Sequence, residues 1–262
     1  MKKLESLFED YIKFTELRSS AIAKGRLDLS GIKWFSPTLL LPLGVFIKQN
    51  RYIDLVLPKD RKVSNYFDII TENNSFSKNR SYIPIIKIPK NESELEIQLK
   101  KLNNLAIHCG GTTPLQYFIG ELVDNIYQHS IFSTAYIMAQ RYQKLKLLEF
   151  CILDNGISIP QSYENNGFTI ESDKDALDYA LKGISTKREE GRGFGLRSSI
   201  NLLASHMNGT CLIISRRGAL CANKQHGKES FEMPENYIYF GTIISISIPL
   251  LRTEVEIYDY IE

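Results

Sequence analysis

Apolar residues recur along this chain at two periods, and the switches between them mark its elements. Residues 1–20 carry Leu4, Phe8, Tyr11, Ile12 and Phe14 among polar neighbours and predict an amphipathic helix. A short strand follows at Arg26–Leu29, then a turn at Gly31. Ser36-Pro37 opens an apolar helix that runs to about Lys48. Next come a strand at Tyr52–Leu57, a helix around Val63–Ile70, a polar loop at Thr71–Arg80, and a strand at Ser81–Ile88 interrupted by Pro84. Strand alternating with helix suggests a small parallel sheet with right-handed crossovers. Lys90–Leu105 interleaves Glu and Lys around leucines and predicts a connecting helix.

The second half begins with a helix start. Thr113 and Gln116 stand at capping-box spacing, with Pro114 in the first turn. Leu115, Phe118, Ile119, Leu122 and Ile126 then form one buried stripe, while Glu121, Asn125 and His129 fall four apart on another. Leu147–Leu153 reads as a core strand that stops at the turn Asp154-Asn-Gly156. Gly191, Gly193 and Gly195 alternate ahead of a helix over Leu196–Met207, with Leu196, Ile200, Leu203 and Met207 inward and Asn208-Gly209 as its stop signal. Finally, Gly241-Thr242 opens the strand Ile243–Ile248, which alternates apolar and polar before Pro249.

Three of these blocks carry chemistry. Glu121 one turn before Asn125 pairs a carboxylate, able to orient or deprotonate a nucleophile, with a neutral hard oxygen for magnesium. Asp154 at a strand end can accept a hydrogen bond from a purine amino group, and Gly156 lets a base approach the backbone. The glycine loop at 191–195 runs into a helix N-terminus, where backbone amides and the helix dipole favour an anion. Each block alone also fits a plain description: a solvated helix face, a tight turn, a flexible surface loop. The spacing matches neither the P-loop nor the dinucleotide fingerprint.

In this order the blocks resemble the GHKL (Bergerat-fold) ATPases, the superfamily of gyrase B, the ninety-kilodalton heat-shock chaperones, sensor histidine kinases, MutL and the anti-sigma-factor serine kinases. Glu121-Leu-Val-Asp-Asn125 resembles that family's N box, Asp154-x-Gly156 its first glycine box and Gly191-x-Gly-x-Gly-Leu196 its second, with Gly241-Thr242 as a fourth match. The likeness covers roughly residues 105–250. It implies an α+β fold, a two-layer sandwich whose mixed sheet carries helices on one face. It implies ATP and Mg2+ as ligands, with Asn125 on the metal and Glu121 polarising the attacking group. Asp154 would contact the adenine amine, Gly156 would make room for the base, and Thr242 would support the same site. Gly191, Gly193, Gly195 and Leu196 would wrap the phosphates. A lid would span about Gln161–Glu190, with Lys187 and Arg188 reaching for the terminal phosphate; solvated loop charge describes that pair equally well. His129 matches a basic position that often follows the N box, or is a capped surface histidine.

The expected organisation is therefore a small α/β domain over 1–95, the ATP-binding domain over 96–252, and an acidic tail over 253–262. Within the first unit, Leu27-Asp-Leu-Ser-Gly-Ile-Lys-Trp-Phe-Ser36, with Pro37 and Thr38, resembles the STAS fold of anti-sigma-factor antagonists. Ser36 and Thr38 flank the place of that family's phosphorylated residue, but its Asp-Ser-x-Gly motif is absent. An unrelated α/β domain fits the same pattern.

Composition narrows the partners. A net charge of +2 gives no electrostatic case for nucleic acid or an anionic membrane. The start of the chain lacks a signal peptide's apolar core, and the run Leu39–Ile47 is too short to span a bilayer, so a cytoplasmic protein is expected. Cys109, Cys151, Cys211 and Cys221 form no C-x-x-C pair, and reduced structural thiols are the default; Cys211, Cys221 and His226 are the one set that could approach a metal. None of the four histidines opens a phosphoacceptor motif, and no length remains for a transducer domain after Pro249. Two functions stay open. One is an enzyme that hydrolyses ATP or phosphorylates a separate protein. The other is a nucleotide-gated interaction module with little turnover. A protein partner or substrate fits both, and a homodimer is compatible, although no sustained heptad seam supports it.

Overall fold

The structure, a computed structural model, describes residues 4–71, 81–91, 94, 96, 100, 112–184 and 195–250. The Thr113 side chain of the expected capping box, most of the Lys90–Leu105 helix and the acidic tail lie outside what is described.

Helix α1 (Leu4–Lys24) leads through Gly25, at φ +64°, into strand β1 (Arg26–Asp28). Helix α2 (Pro37–Gln49) starts where Ser36 accepts the Leu39 amide, and its residues from Pro37 to Phe46 are all buried. Strand β2 (Asp54–Val56) pairs parallel with β1, and helix α3 (Arg61–Thr71) follows. The expected parallel sheet is thus only two strands wide. The expected third strand, β3 (Tyr82–Lys87), goes elsewhere. It pairs antiparallel with β4 (Ala135–Tyr142) at the edge of a second, seven-stranded sheet. Four consecutive buried residues in β3 need cover on both faces, which three-residue strands cannot give. Pro84 sits where the register slips between Ile83 and Ile86, so the missing donor falls in a bulge.

The large sheet runs β3-β4-β5-β9-β6-β7-β8. Its other members are β5 (Leu147–Asp154), β6 (Thr210–Arg216), β7 (Gly218–Asn223), β8 (Gly227–Glu232) and β9 (Tyr239–Pro249). Every pairing is antiparallel, which corrects the expected mixed sheet. Tight turns join β4 to β5 and β6 to β7, with Lys146 and Arg216 in the left-handed region, and such connections permit only antiparallel neighbours. The observed class is α+β in this broad sense.

Helices cover both faces of this sheet: those of residues 112–201 share one face, and those of the expected first unit cover the other. On the front lie α4 (Thr112–Asn125), α5 (Ile159–Asn165), α6 (Asp173–Lys182) and α7 (Gly195–Asn201). Phe118, Leu122, Ile200 and Leu203 pack there on Phe150, Ile152, Ile244 and Ile246. On the back, Leu7, Tyr11 and Phe14 of α1 and the leucines of α2 pack on Met138, Cys151, Leu212, Ile214 and Ile243. Gly44 makes that contact close: a side chain there would meet Ile85 Cδ1 at 2.4 Å. Trp34 adds a bridge, stacking on Tyr66 at 4.7 Å and donating to the Tyr142 hydroxyl, while Tyr66 donates to Gln140 on β4. Among the described residues no helix is long and apolar enough to cross a membrane.

Candidate functional site

Asp154 closes the interior strand β5 on the front face, level with Ala135 of β4 and Thr242 of β9. Directly opposed residues in such ladders hold their Cβ atoms about 5 Å apart, so Thr242 shares this corner. The carboxyl is buried, and its Oδ1 accepts from Ser130 Oγ at 2.6 Å and from the Gly156 amide at 2.8 Å. Burial pushes its pKa up to about 6, although both hydrogen bonds pull the other way. Among the described residues no donor reaches Oδ2. A carboxylate so placed has acceptor capacity left for an incoming N–H.

Ser130 carries no mark in the sequence, and the end of α4 explains its role. After Asn125 the helix widens into a π-turn over Ile126–Ser130 and stops at Ile131, whose φ of +47° is rare for a β-branched residue. The extra residue in that turn breaks the regular stripe to His129 and delivers Ser130 to Asp154. Ser130 also accepts the Ile157 amide through its carbonyl at 2.5 Å. The same contact explains Gly156: a Cβ there would lie 1.9 Å from both Ser130 oxygens. Glycine is required by that close approach, a source other than room for a base. Asn155 locks the turn further by accepting the amides of Ser133 and Thr134.

Ser215 is the second residue without a sequence signal. Its hydroxyl donates to the Gly241 carbonyl at 3.0 Å, lies 3.1 Å from Thr242 Oγ1, and accepts the Ile159 amide at the start of α5. Gly241 has φ +117°, and a Cβ there would meet the Asp154 carbonyl at 2.2 Å. Between the pairs Ser215–Thr242 and Arg216–Tyr239 the register slips, so Phe240 and Gly241 form a bulge beside Asp154. Neither serine stands in a local pattern that singles it out, and only a placed neighbour would have marked them.

Glu121 and Asn125 are half-buried on α4, one turn apart. Burial raises the Tyr117 phenol, and the Glu121 carboxylate one turn on adds to that effect. Asn125 precedes Ser130 by five residues, about 7 Å along a helix axis, so the helix that carries the carboxylate and the carboxamide ends at the Asp154 corner. One carboxamide and one carboxylate suit magnesium, which takes few protein oxygens and completes its shell with phosphate and water. Among the described residues no cluster of three His, Cys, Asp or Glu side chains could hold a metal on its own. Cys211 and Cys221 are buried in clusters on opposite faces of the sheet.

Leu196 packs against the front core one residue after Gly195 begins α7. Lys187, Arg188, Gly191 and Gly193 lie outside the described residues. The described part of the expected lid is folded. Ser172 and Asp175 form a capping box at the head of α6, and Gly183 ends it at φ +76°. Tyr163 of α5 donates to the Ile184 carbonyl and packs edge-on against Phe168 and Tyr179. Arg216 ties this unit to β6 through Glu164 at 2.8 Å and Asp173 at 3.1 Å.

No model of a known protein family matches the chain. No curated protein matches it either.

Proposed function

We propose that this protein is an ATP-binding regulatory protein of the GHKL type, which binds magnesium–ATP and hydrolyses it or phosphorylates a partner protein. The observation that carries this reading is the Asp154 corner: a buried, raised carboxyl with Oδ1 held from two sides, Thr242 level with it, and the Glu121–Asn125 helix ending against its turn. A purine amine donating to Asp154 would replace the water that burial removes and would favour the ionised form. Asn125 would offer its carbonyl oxygen to the magnesium, and Glu121 would orient or accept a proton from the attacking group. Bound magnesium would supply charge neutralisation for phosphoryl transfer. The ligand side of the site draws further support from Gly191, Gly193, Gly195 and Leu196, and from Lys187 and Arg188 in the sequence between the two glycine boxes.

The test is thermal unfolding with magnesium and ATP, ADP, GTP or no nucleotide. Saturation at a hundredfold over the dissociation constant raises stability by roughly 2.7 kcal/mol. Stabilisation by ATP that disappears in Asp154→Asn is expected, and equal curves with and without ATP would sink the proposal. Phosphate release abolished by Glu121→Ala, with binding intact, marks an enzyme; release too slow to detect in the parent marks a nucleotide-gated interaction module.

A further inference from the structure

Helix α1 lies on the back of the sheet, yet two of its side chains grip the segment that leads into the Asp154 corner. The Tyr11 hydroxyl, on a fully buried ring, donates to the Tyr237 carbonyl at 2.5 Å. Further along the helix, Arg18 Nη2 donates to the Ile238 carbonyl at 3.0 Å, with its guanidinium over the Phe14 ring at 5.4 Å. These are successive carbonyls of one strap. The strap enters from a 3-10 turn, Glu235–Tyr237, and leaves into β9 at Tyr239.

Immediately beyond the strap, the chain bulges. Tyr239 aligns with Arg216 and Thr242 with Ser215, so two additional residues, Phe240 and Gly241, are forced out of the ladder. A bulge of this kind needs both ends fixed, since its own backbone groups give up ladder partners. Ser215 fixes the far end by donating to the Gly241 carbonyl, where the Asp154 backbone packs so closely that no side chain fits. Tyr11 and Arg18 fix the near end. Tyr239 sits between the two, close enough that burial first, then the charges of Asp154, Cys151 and Tyr11, hold its phenol far above the usual range.

We infer that Tyr11 and Arg18 are positioning residues: by fixing the Tyr237 and Ile238 carbonyls they hold the Phe240–Gly241 bulge against Asp154, and so set how tightly that corner holds its ligand. The effect on the ligand rests on the reading of Asp154 as a purine-amine acceptor. The coupling of the anchors to Asp154 does not, because it concerns two side chains and a carboxyl of the free protein. It makes the N-terminal helix a part of the site although it lies behind the sheet.

The experiment uses the full chain with Tyr11→Phe, Arg18→Gln, both together, and Arg18→Lys. The Asp154 carboxyl is followed by carbon NMR without nucleotide, and magnesium–ATP affinity by calorimetry. Loosening the strap admits water, so the double variant should lower the Asp154 midpoint by about half a unit or more. It should weaken binding roughly tenfold, and Tyr11→Phe alone roughly threefold, as expected for hydrogen bonds of ordinary strength. Arg18→Lys, which keeps a charged donor, should restore most of the loss. Leu7→Val, a control in the same buried face of α1, should lower stability and leave the midpoint where it was. An unchanged Asp154 midpoint in the double variant would overturn the coupling. A parent that binds no magnesium–ATP would overturn the nucleotide reading instead, while the midpoint still decides the coupling.

Discussion

Both faces of the seven-stranded sheet are covered, but they are built differently. The front face offers Leu148, Phe150, Ile152, Ile244, Ile246 and Ile248 to α4 and α7, an apolar surface bounded by Asp154, Thr242 and Ser215 at one end and by Arg141 opposite Leu148 at the other. Under α1 and α2, the back face alternates Ile243 and Cys151 with Ser245, Ser247 and Glu149, all buried. Ser245 donates to the Cys151 thiol at 3.1 Å. Polar groups on the back are distributed along the strands, whereas on the front the buried carboxyl of Asp154 and the hydroxyls of Ser130, Ser215 and Thr242 gather at one corner. A ligand site needs the second arrangement, because dispersion forces keep the surroundings rigid and leave the few polar atoms to act together.

Four measurements put that contrast at risk. The largest effect belongs to the front core. Phe150→Ala removes a buried ring that meets Phe118 edge-on at 6.1 Å, and should destabilise the chain by roughly 3–5 kcal/mol in urea unfolding. A loss under about 1 kcal/mol would mean the front face is loosely packed.

Asp154→Asn should act in the opposite direction. The folded protein holds the Asp154 proton to about pH 6, against an ordinary value of 3.8. Its carboxyl therefore contributes nothing unfavourable at acid pH, and its ionisation takes stability away as pH rises through that window. The amide keeps an acceptor for Ser130 and Gly156 without the charge. At pH 8 the variant should be more stable than the parent by up to roughly 3 kcal/mol, and below about pH 4 the two should converge. Equal differences at both pH values would show that the carboxyl is not held up by burial.

The same group should shape binding. A purine amine needs the ionised acceptor, so nucleotide affinity should fall by about tenfold per pH unit below the midpoint and level off above it. A flat profile between about pH 5 and 8 would separate Asp154 from the ligand. The smallest effect is expected on the back face, where Ser245→Ala removes one hydroxyl and leaves the Cys151 thiol room. The loss should be about 1 kcal/mol or less; a larger one would make the back face as exacting as the front.

Legibility in the sequence follows the range of the forces involved. α2 begins at Pro37 behind a Ser36 cap, β5 ends at Asp154, and Asn208 takes the left-handed turn that ends the Leu196 segment. Each of those is decided within a few residues. β3 escapes a local reading because its partner, β4, lies well further along the chain, and nothing nearby distinguishes a strand of one sheet from a strand of the other. Ser130 and Ser215 escape for the same reason. A serine with no local motif acquires a role only from what faces it, here Asp154 in one case and Gly241 with Thr242 in the other.

The periodic elements, the glycines and caps that end them, and the order of the carboxylates, the carboxamide and the glycine-rich loop are all written in the amino-acid order. Such features depend on backbone sterics and on side chains three or four positions apart, which any stretch of chain carries with it. Three outcomes were left to the folded chain: every pairing of the large sheet is antiparallel, α1 and α2 seal its back, and Asp154 meets Ser130 and stands level with Thr242. They depend on burying two faces of one sheet at once, a condition imposed by residues far apart in the chain and satisfied only when all of them are in place.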